Sequence, residues 1–301
     1  MHPTALPSKY GIGDFGETSR NFIDFLNESS TNIWQVLPLG LTSLDEFSPY
    51  SSPSSILGNR YLVDIEKLTK YEKIDIVTPQ FSNDFVQYKD VYKFKDDIFK
   101  NVSKNINLQD KIFTSFLDDD LIKKHITFLI LKDLNQKSWN EWDNVYQDYS
   151  DDLFDKLIIE NTELVNFHVL TQYEFFNQWK SLKKYANEKN VQILGDIPIY
   201  VNHDSADVWL NKEMFELDET GNMELVSGAV PDSFNMEGQI WGNALYRWDL
   251  HKEDDFKYWK EKLNKSLNLY DYLRIDHFIG FFKYWSIPKG ESALNGYWRE
   301  G

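Results

Sequence analysis

Tyr272-Leu273-Arg274-Ile275-Asp276-His277-Phe278 reads as a short strand, apolar at alternate residues, that stops at a carboxylate. A helical stretch around Phe256 to Leu267 precedes it. Two earlier segments share this order of helix, apolar run and polar stop. A helix around Asn21 to Leu26 leads into Ile33-Trp34-Gln35-Val36-Leu37-Pro38, and a helix around Tyr173 to Glu188 leads into Val191 to Leu194 and then Gly195-Asp196. Strands alternating with helices predict βα units and a parallel sheet, in which functional groups gather at the carboxyl ends of the strands. Asp196 and Asp276 are therefore expected at one rim of a parallel barrel or sheet.

Between the first two strands lie roughly 150 residues, more than a βα connection needs, so this stretch must hold structure of its own. From Leu121 through Glu188 its apolar residues recur at helical spacing, as in Trp139, Trp142 and Tyr146, and the two tryptophans read as core rather than as ligand contacts. Residues Pro49 to Tyr61, dense in Ser, Pro and Gly, read as an ordered loop near the first strand end. A second loop-rich stretch, Asp204 to Asn243, follows the second strand, and no low-complexity linker divides the chain.

A net charge of −16 with no long Lys/Arg run argues against a nucleic-acid partner. The absence of cysteine excludes disulfides, a thiol nucleophile and Cys-type zinc sites. No signal-peptide pattern opens the chain and no run approaches the ~20 apolar residues of a membrane helix, so a soluble, cytoplasmic protein without a membrane partner is expected. The six histidines form no helical pair, and His203-Asp204 reads as a loop cap, with a ligand pair as the alternative. Gly11-Ile12-Gly13-Asp14-Phe15-Gly16 follows no strand and reads as a turn, so no metal and no cofactor are expected.

Paired carboxylates at a strand rim suit retaining glycoside cleavage, in which one carboxylate is the nucleophile and a second carboxyl group is acid and then base. Arg274 shares a strand face with Asp276, since side chains alternate, and its cation favours the ionised form; the competing reading is a structural ion pair. His277 just past the strand can donate to a sugar hydroxyl. Trp241-Gly242-Asn243 combines an apolar platform, a residue that lets backbone approach closely and a bifunctional amide.

His2-Pro3-Thr4-Ala5-Leu6-Pro7, Tyr10-Gly11-Ile12-Gly13-Asp14 and Trp34-Gln35-Val36-Leu37-Pro38-Leu39 open a series of blocks. Ser48-Pro49-Tyr50-Ser51-Ser52, Gly58-Asn59-Arg60-Tyr61-Leu62, Gly195-Asp196-Ile197-Pro198-Ile199-Tyr200 and Asp204-Ser205-Ala206-Asp207-Val208-Trp209 continue it. Trp241-Gly242-Asn243, Leu245-Tyr246-Arg247-Trp248, Arg274-Ile275-Asp276-His277-Phe278 and Tyr284-Trp285 complete it. In this order they closely resemble the 4-α-glucanotransferases, the amylomaltase or disproportionating-enzyme family. The resemblance covers nearly the whole chain and is weakest between about Lys70 and Leu170.

The resemblance implies an α/β fold, part of a (β/α)₈ TIM barrel of the α-amylase clan. Residues 1–301 would form the N-terminal part of a catalytic barrel, with a mainly helical insertion at about 65–188 and a loop-rich insertion at about 204–245. It implies transfer of an α-1,4-glucan segment to another glucan or to glucose, so maltooligosaccharides are the expected partners. Asp276 takes the position of the nucleophile, Arg274 that of the Arg beside it, His277 that of a hydrogen-bond donor and Asp196 that of an acidic strand-end residue. Tyr50 matches an aromatic near the cleaved bond, and Trp241 and Asn243 match residues of the glucan groove, to which the resemblance adds Ser48 and Asp232. The loop Val230 to Gly238 resembles a mobile cover, with Ser233 where some members carry Tyr.

The family's acid/base Glu and its third carboxylate are expected downstream of Gly301, and the apolar residues that normally precede His-Pro-Thr are missing. The expectation is a fragment holding strands two to four, with little turnover by itself and exposed strand edges. A hydrolase of the same clan and a non-catalytic glucan-binding protein are the alternatives.

Overall fold

The three apolar runs pair side by side in a computed structural model that describes residues 1–42, 46–233 and 235–301. Helix α1 (Glu17–Glu28) buries Ile23 and Leu26 and leads into β1 (Ile33–Gln35). Four helices follow, α2 (Tyr88–Ser103), α3 (Lys111–Leu117), α4 (Asp120–Asn135) and α5 (Asp151–Glu160), before the long α6 (Thr162–Glu188). Phe175, Trp179, Leu182 and Ala186 form one buried face of α6, at the spacing expected of a helix stripe. The chain leaves that helix through Asn190 at φ +58°, a left-handed conformation that Asn tolerates, and Val191 N–H donates to Ala186 O at 2.8 Å. This turn starts β2 (Gln192–Pro198).

After β2 come α7 (Ala206–Leu210), β3 (Leu225–Ala229), β4 (Gln239–Ile240) and α8 (Trp248–Glu253). Then α9 (Lys257–Leu269) leads into β5 (Tyr272–Asp276), and β6 (Lys283–Pro288) and β7 (Tyr297–Glu300) end the order. Trp179 Nε1 donates to Leu269 O at 2.8 Å and ties α6 to the end of α9. Gly195 has no side chain for a spatial reason: a Cβ there would lie 2.2 Å from the Tyr270 ring, which packs against β2.

β2 is the middle strand of a parallel sheet ordered β1-β2-β5. Its register sets Asp196 level with Arg274 and Pro198 level with Asp276. The sequence reading ended the second strand at Gly195-Asp196. The strand instead runs on through Ile197, which is buried, so Asp196 lies one pleat, about 6.6 Å, short of the level of Asp276. The sheet has three strands with β1 and β5 at its edges, and no barrel closes among the described residues.

Trp139 and Trp142 are buried, and Phe128, Trp142 and Trp209 meet with ring centroids 5.3 to 6.0 Å apart, so these tryptophans are core. A second sheet, antiparallel and ordered β4-β3-β6-β7, was not legible beforehand. Its strand β3 lies inside the stretch read as loop-rich, because five residues are too few for a clear alternation and its partner β6 is far away in sequence, with Leu225 opposite Pro288.

Candidate functional site

At the end of β5 the chain turns through His277, whose φ of +53° places it in the left-handed region, uncommon for a side chain with Cβ. The turn presents Asp276 and His277 to a cleft of about 690 Å³, within the range of small-molecule sites. Ser48, Tyr50, Trp241 and Asn243 line the same cleft. Asp196 lines a smaller inner cavity that adjoins it at Tyr50.

Arg274 connects the two levels of the sheet. Its Nη2 donates to Asp276 Oδ1 at 2.6 Å, and its Nη1 lies 3.5 Å from Asp196 Oδ2. Tyr50 O–H donates to the same Asp196 oxygen at 2.7 Å. Asp196 is fully buried and its Oδ1 has no protein partner, whereas the side chains of Arg274 and Asp276 are close to half exposed. Burial pushes the Asp196 carboxyl above the usual carboxylate range, against the pull of the Tyr50 hydrogen bond and the Arg274 cation. Burial and the bond to Asp196 also raise the Tyr50 phenol, while Asp196 and Asp276 together hold Arg274 firmly charged.

His277 meets Trp241 edge to face, with ring centroids 4.7 Å apart at 85°. Burial lowers its pKa despite the nearby Asp276, so the imidazole is neutral at neutral pH. Its Nε2 is buried without a protein partner and keeps hydrogen-bonding capacity in reserve.

The loops around the cleft hold one another. Ser48 Oγ accepts from Tyr50 N–H at 3.2 Å, fixing the turn that presents the phenol. Asn243 Nδ2 donates to Asn202 Oδ1 at 3.1 Å, Asn202 Nδ2 donates to Ser51 Oγ at 3.0 Å, and Ser227 Oγ donates to Asn243 Oδ1 at 3.3 Å. Both ends of the Asn243 amide are thus engaged, and one proton and one lone pair remain for a ligand. Of the predicted site residues, Asp196 and Arg274 reach the cleft only through Tyr50 and Asp276, and Asp232 stays outside its lining altogether. It lies on an exposed loop and accepts from Asn235 N–H at 2.8 Å.

Tyr200 and Asn202 line the cleft without having been singled out. Tyr200 stacks on Tyr246, with centroids 6.0 Å apart at 15°, and stands 6.1 Å from Trp241. Its signal was present, since it closes the block that begins Gly195-Asp196; Gln239, another lining residue, had none. His203 lines the cleft too, and its Nε2 lies 2.6 Å from Gly221 O, which anchors a loop. No group of three or more metal-ligating side chains occurs among the described residues, and none of their helices is long and apolar enough to cross a membrane. An aromatic wall, a neutral imidazole and a carboxylate braced by a guanidinium suit a neutral, hydroxyl-rich ligand with an apolar ring face.

The sequence pattern of the family described as 4-alpha-glucanotransferase matches residues 1–301. A 4-alpha-glucanotransferase of Clostridium butyricum is 41% identical over 312 residues, covering 100% of this chain and 64% of the relative. One of Aquifex aeolicus is 38% identical, covering 99% of this chain and 62% of the relative. The solved structure of an amylomaltase from Streptococcus agalactiae in complex with acarbose superposes with a TM-score of 0.88 at 36% identity, over 100% of this chain and 63% of that one. The chain thus spans a little under two thirds of the length of the curated relatives it matches.

Proposed function

Since this chain belongs to the 4-alpha-glucanotransferase family, we propose that the protein carrying it transfers a segment of a 1,4-α-D-glucan to the 4-hydroxyl of glucose or of another 1,4-α-D-glucan. The observation behind this reading is the Arg274 bridge between Asp276 and Asp196 beside a cleft walled by Tyr50 and Trp241. Strands β1, β2 and β5 are read as neighbouring strands of a (β/α)₈ barrel of the α-amylase clan, in keeping with their parallel order.

In the proposed double displacement, an Asp276 oxygen attacks the anomeric carbon as the bond to the leaving oxygen breaks, and that oxygen takes a proton from an acid. The acceptor 4-hydroxyl then displaces Asp276 and gives its proton to the conjugate base, so configuration is retained. Arg274 orients Asp276, and Asp196, held by Tyr50, orients Arg274 in turn. His277 Nε2 serves a sugar hydroxyl, Tyr50 and Trp241 supply stacking faces, and Ser48 and Asn243 supply polar contacts. Asp232, on its loop, is assigned to longer glucans. Asp204 also lines the cleft, but Lys132 and Trp139 N–H hold it, and no carboxyl group within residues 1–301 is given the acid/base role. Absence of that group costs ~10²- to 10⁴-fold in rate.

The gene product carrying this sequence, incubated with maltotriose, should yield glucose together with maltodextrins longer than maltotriose. Glucose and maltose alone would make water the acceptor and overturn the transferase reading.

A further inference from the structure

A second cavity, of about 490 Å³, opens between α4, α7 and α9 and shares no lining residue with the cleft that holds Asp276. One lining residue is His125, only 2% exposed. Its Nδ1 lies 2.8 Å from Ser54 Oγ. That oxygen already accepts from the backbone N–H groups of Ile56 at 3.2 Å and Leu57 at 2.9 Å, so both lone pairs are used and its proton points to Nδ1. Burial lowers the His125 pKa, which leaves the ring neutral with its single proton on Nε2. No protein hydrogen bond reaches that Nε2–H among the described residues, and the atom keeps some solvent access, so the donor is open to a ligand in the cavity.

Three of the carboxylates that line this cavity are already compensated. Asp207 accepts from Ser55 N–H at 2.8 Å and from Tyr258 O–H at 3.1 Å, Asp119 pairs with Lys265, and Asp120 pairs with Lys124 at 2.6 Å. Glu213, Asp254, Glu261 and Lys257 also line it and form no ion pair among the described residues, so a charged ligand of either sign would meet like charge as well as opposite charge. Hydroxyl groups fit better, because each both accepts and donates: His125 offers a proton, and Asn211, whose amide nitrogen is taken by Asp207 O, offers its oxygen. Leu121 and Met214 add apolar surface for a carbon skeleton.

We propose that this cavity is a binding site for a small neutral polyol, of the class of a free hexose, anchored on the Nε2–H of His125 and separate from the Asp276 cleft. The site goes beyond the transferase reading and does not rest on it. Ser55 and Ile56 line both this cavity and the inner cavity that touches Asp196 and Tyr50, so an occupant bears on the segment that presents Tyr50.

Histidine ring nitrogens, followed by NMR in the ¹⁵N-labelled protein, report the two sites separately, His125 for this cavity and His277 for the cleft. Resonances are assigned from His125→Gln and His277→Gln. Titration with glucose, and separately with sorbitol, should shift His125 Nε2 along a saturable curve with its own midpoint. Leu121→Trp, which fills the cavity without touching the His125–Ser54 bond, should abolish that shift and leave any response of His277 in place. An unmoved His125 at saturating polyol, an equal shift in folded Leu121→Trp, or a response to ammonium but not to polyols would each overturn the proposal. Loss of the His277 response alone would count against the cleft reading and leave this site standing.

Discussion

Tyr50 O–H donates to Asp196 Oδ2 at 2.7 Å, and the same oxygen lies 3.5 Å from Arg274 Nη1. A residue of the loop after β1 therefore controls the electrostatics of a buried carboxylate in β2, which in turn braces the arginine of β5. The site is a joint between three strands rather than a property of any one of them.

Tyr50→Phe should push the Asp196 carboxyl still higher, because burial then acts without the hydrogen bond that opposes it. A raised carboxyl pKa contributes stability that is fully present below its unfolded value and is lost as pH rises through the folded value. The variant should accordingly be less stable than the parent by about 1–3 kcal/mol at neutral pH, with the difference vanishing below the unfolded Asp value. Urea unfolding at several pH values checks this.

Asp276→Asn should lower maltotriose disproportionation by about 10⁴-fold or more while leaving glucan binding, read by tryptophan fluorescence, within a few-fold of the parent. Arg274→Lys keeps the charge but gives up the two-way reach to Asp276 and Asp196, so it should lower kcat more than it raises KM. Equal losses in binding and turnover would show that these residues only shape the groove.

Acid should destabilise the fold through its buried histidines. Burial lowers the pKa values of His2, His125, His203, His251 and His277, His2 to about 4. A lowered histidine favours folding above its unfolded pKa and withdraws that stability as pH falls toward the folded value. Between pH 6.5 and about 4 the folding equilibrium should thus fall, by up to about tenfold per pH unit for each proton taken up on unfolding. His2→Asn should flatten the pH profile of the urea midpoint.

Gly195→Ala should destabilise the protein by about 1–3 kcal/mol, since its Cβ would enter the Tyr270 ring and neither partner can move freely within a packed sheet. Tyr270 also accepts from Leu39 N–H at 3.3 Å, so a displaced ring disturbs the chain after β1. The double variant Gly195→Ala/Tyr270→Ala should cost less than the sum of the two single changes in thermal denaturation.

The residues of the cleft differ in how far local pattern foreshadows them. Arg274 and Asp276 fall on one strand face by simple alternation, and their pairing needs no knowledge of other strands. Tyr200 carried a weaker signal, and its role as a platform depends on Tyr246 and Trp241 arriving from later in the chain. Asn243 reads from sequence as a bifunctional amide, and packing ties both of its ends, to Asn202 and to Ser227. Strand β3 escaped notice because its partner strand lies beyond α9.

Periodicity and turn chemistry, which act over a few residues, were enough to determine the helix-then-strand order, the buried tryptophans and the placing of Asp276 at a strand end. The level of Asp196 beneath Asp276, the left-handed turn that carries His277 and the His125 cavity were decided by the tertiary structure alone. Register and cavities arise from packing between segments remote in the chain, and no local stretch of residues contains that information.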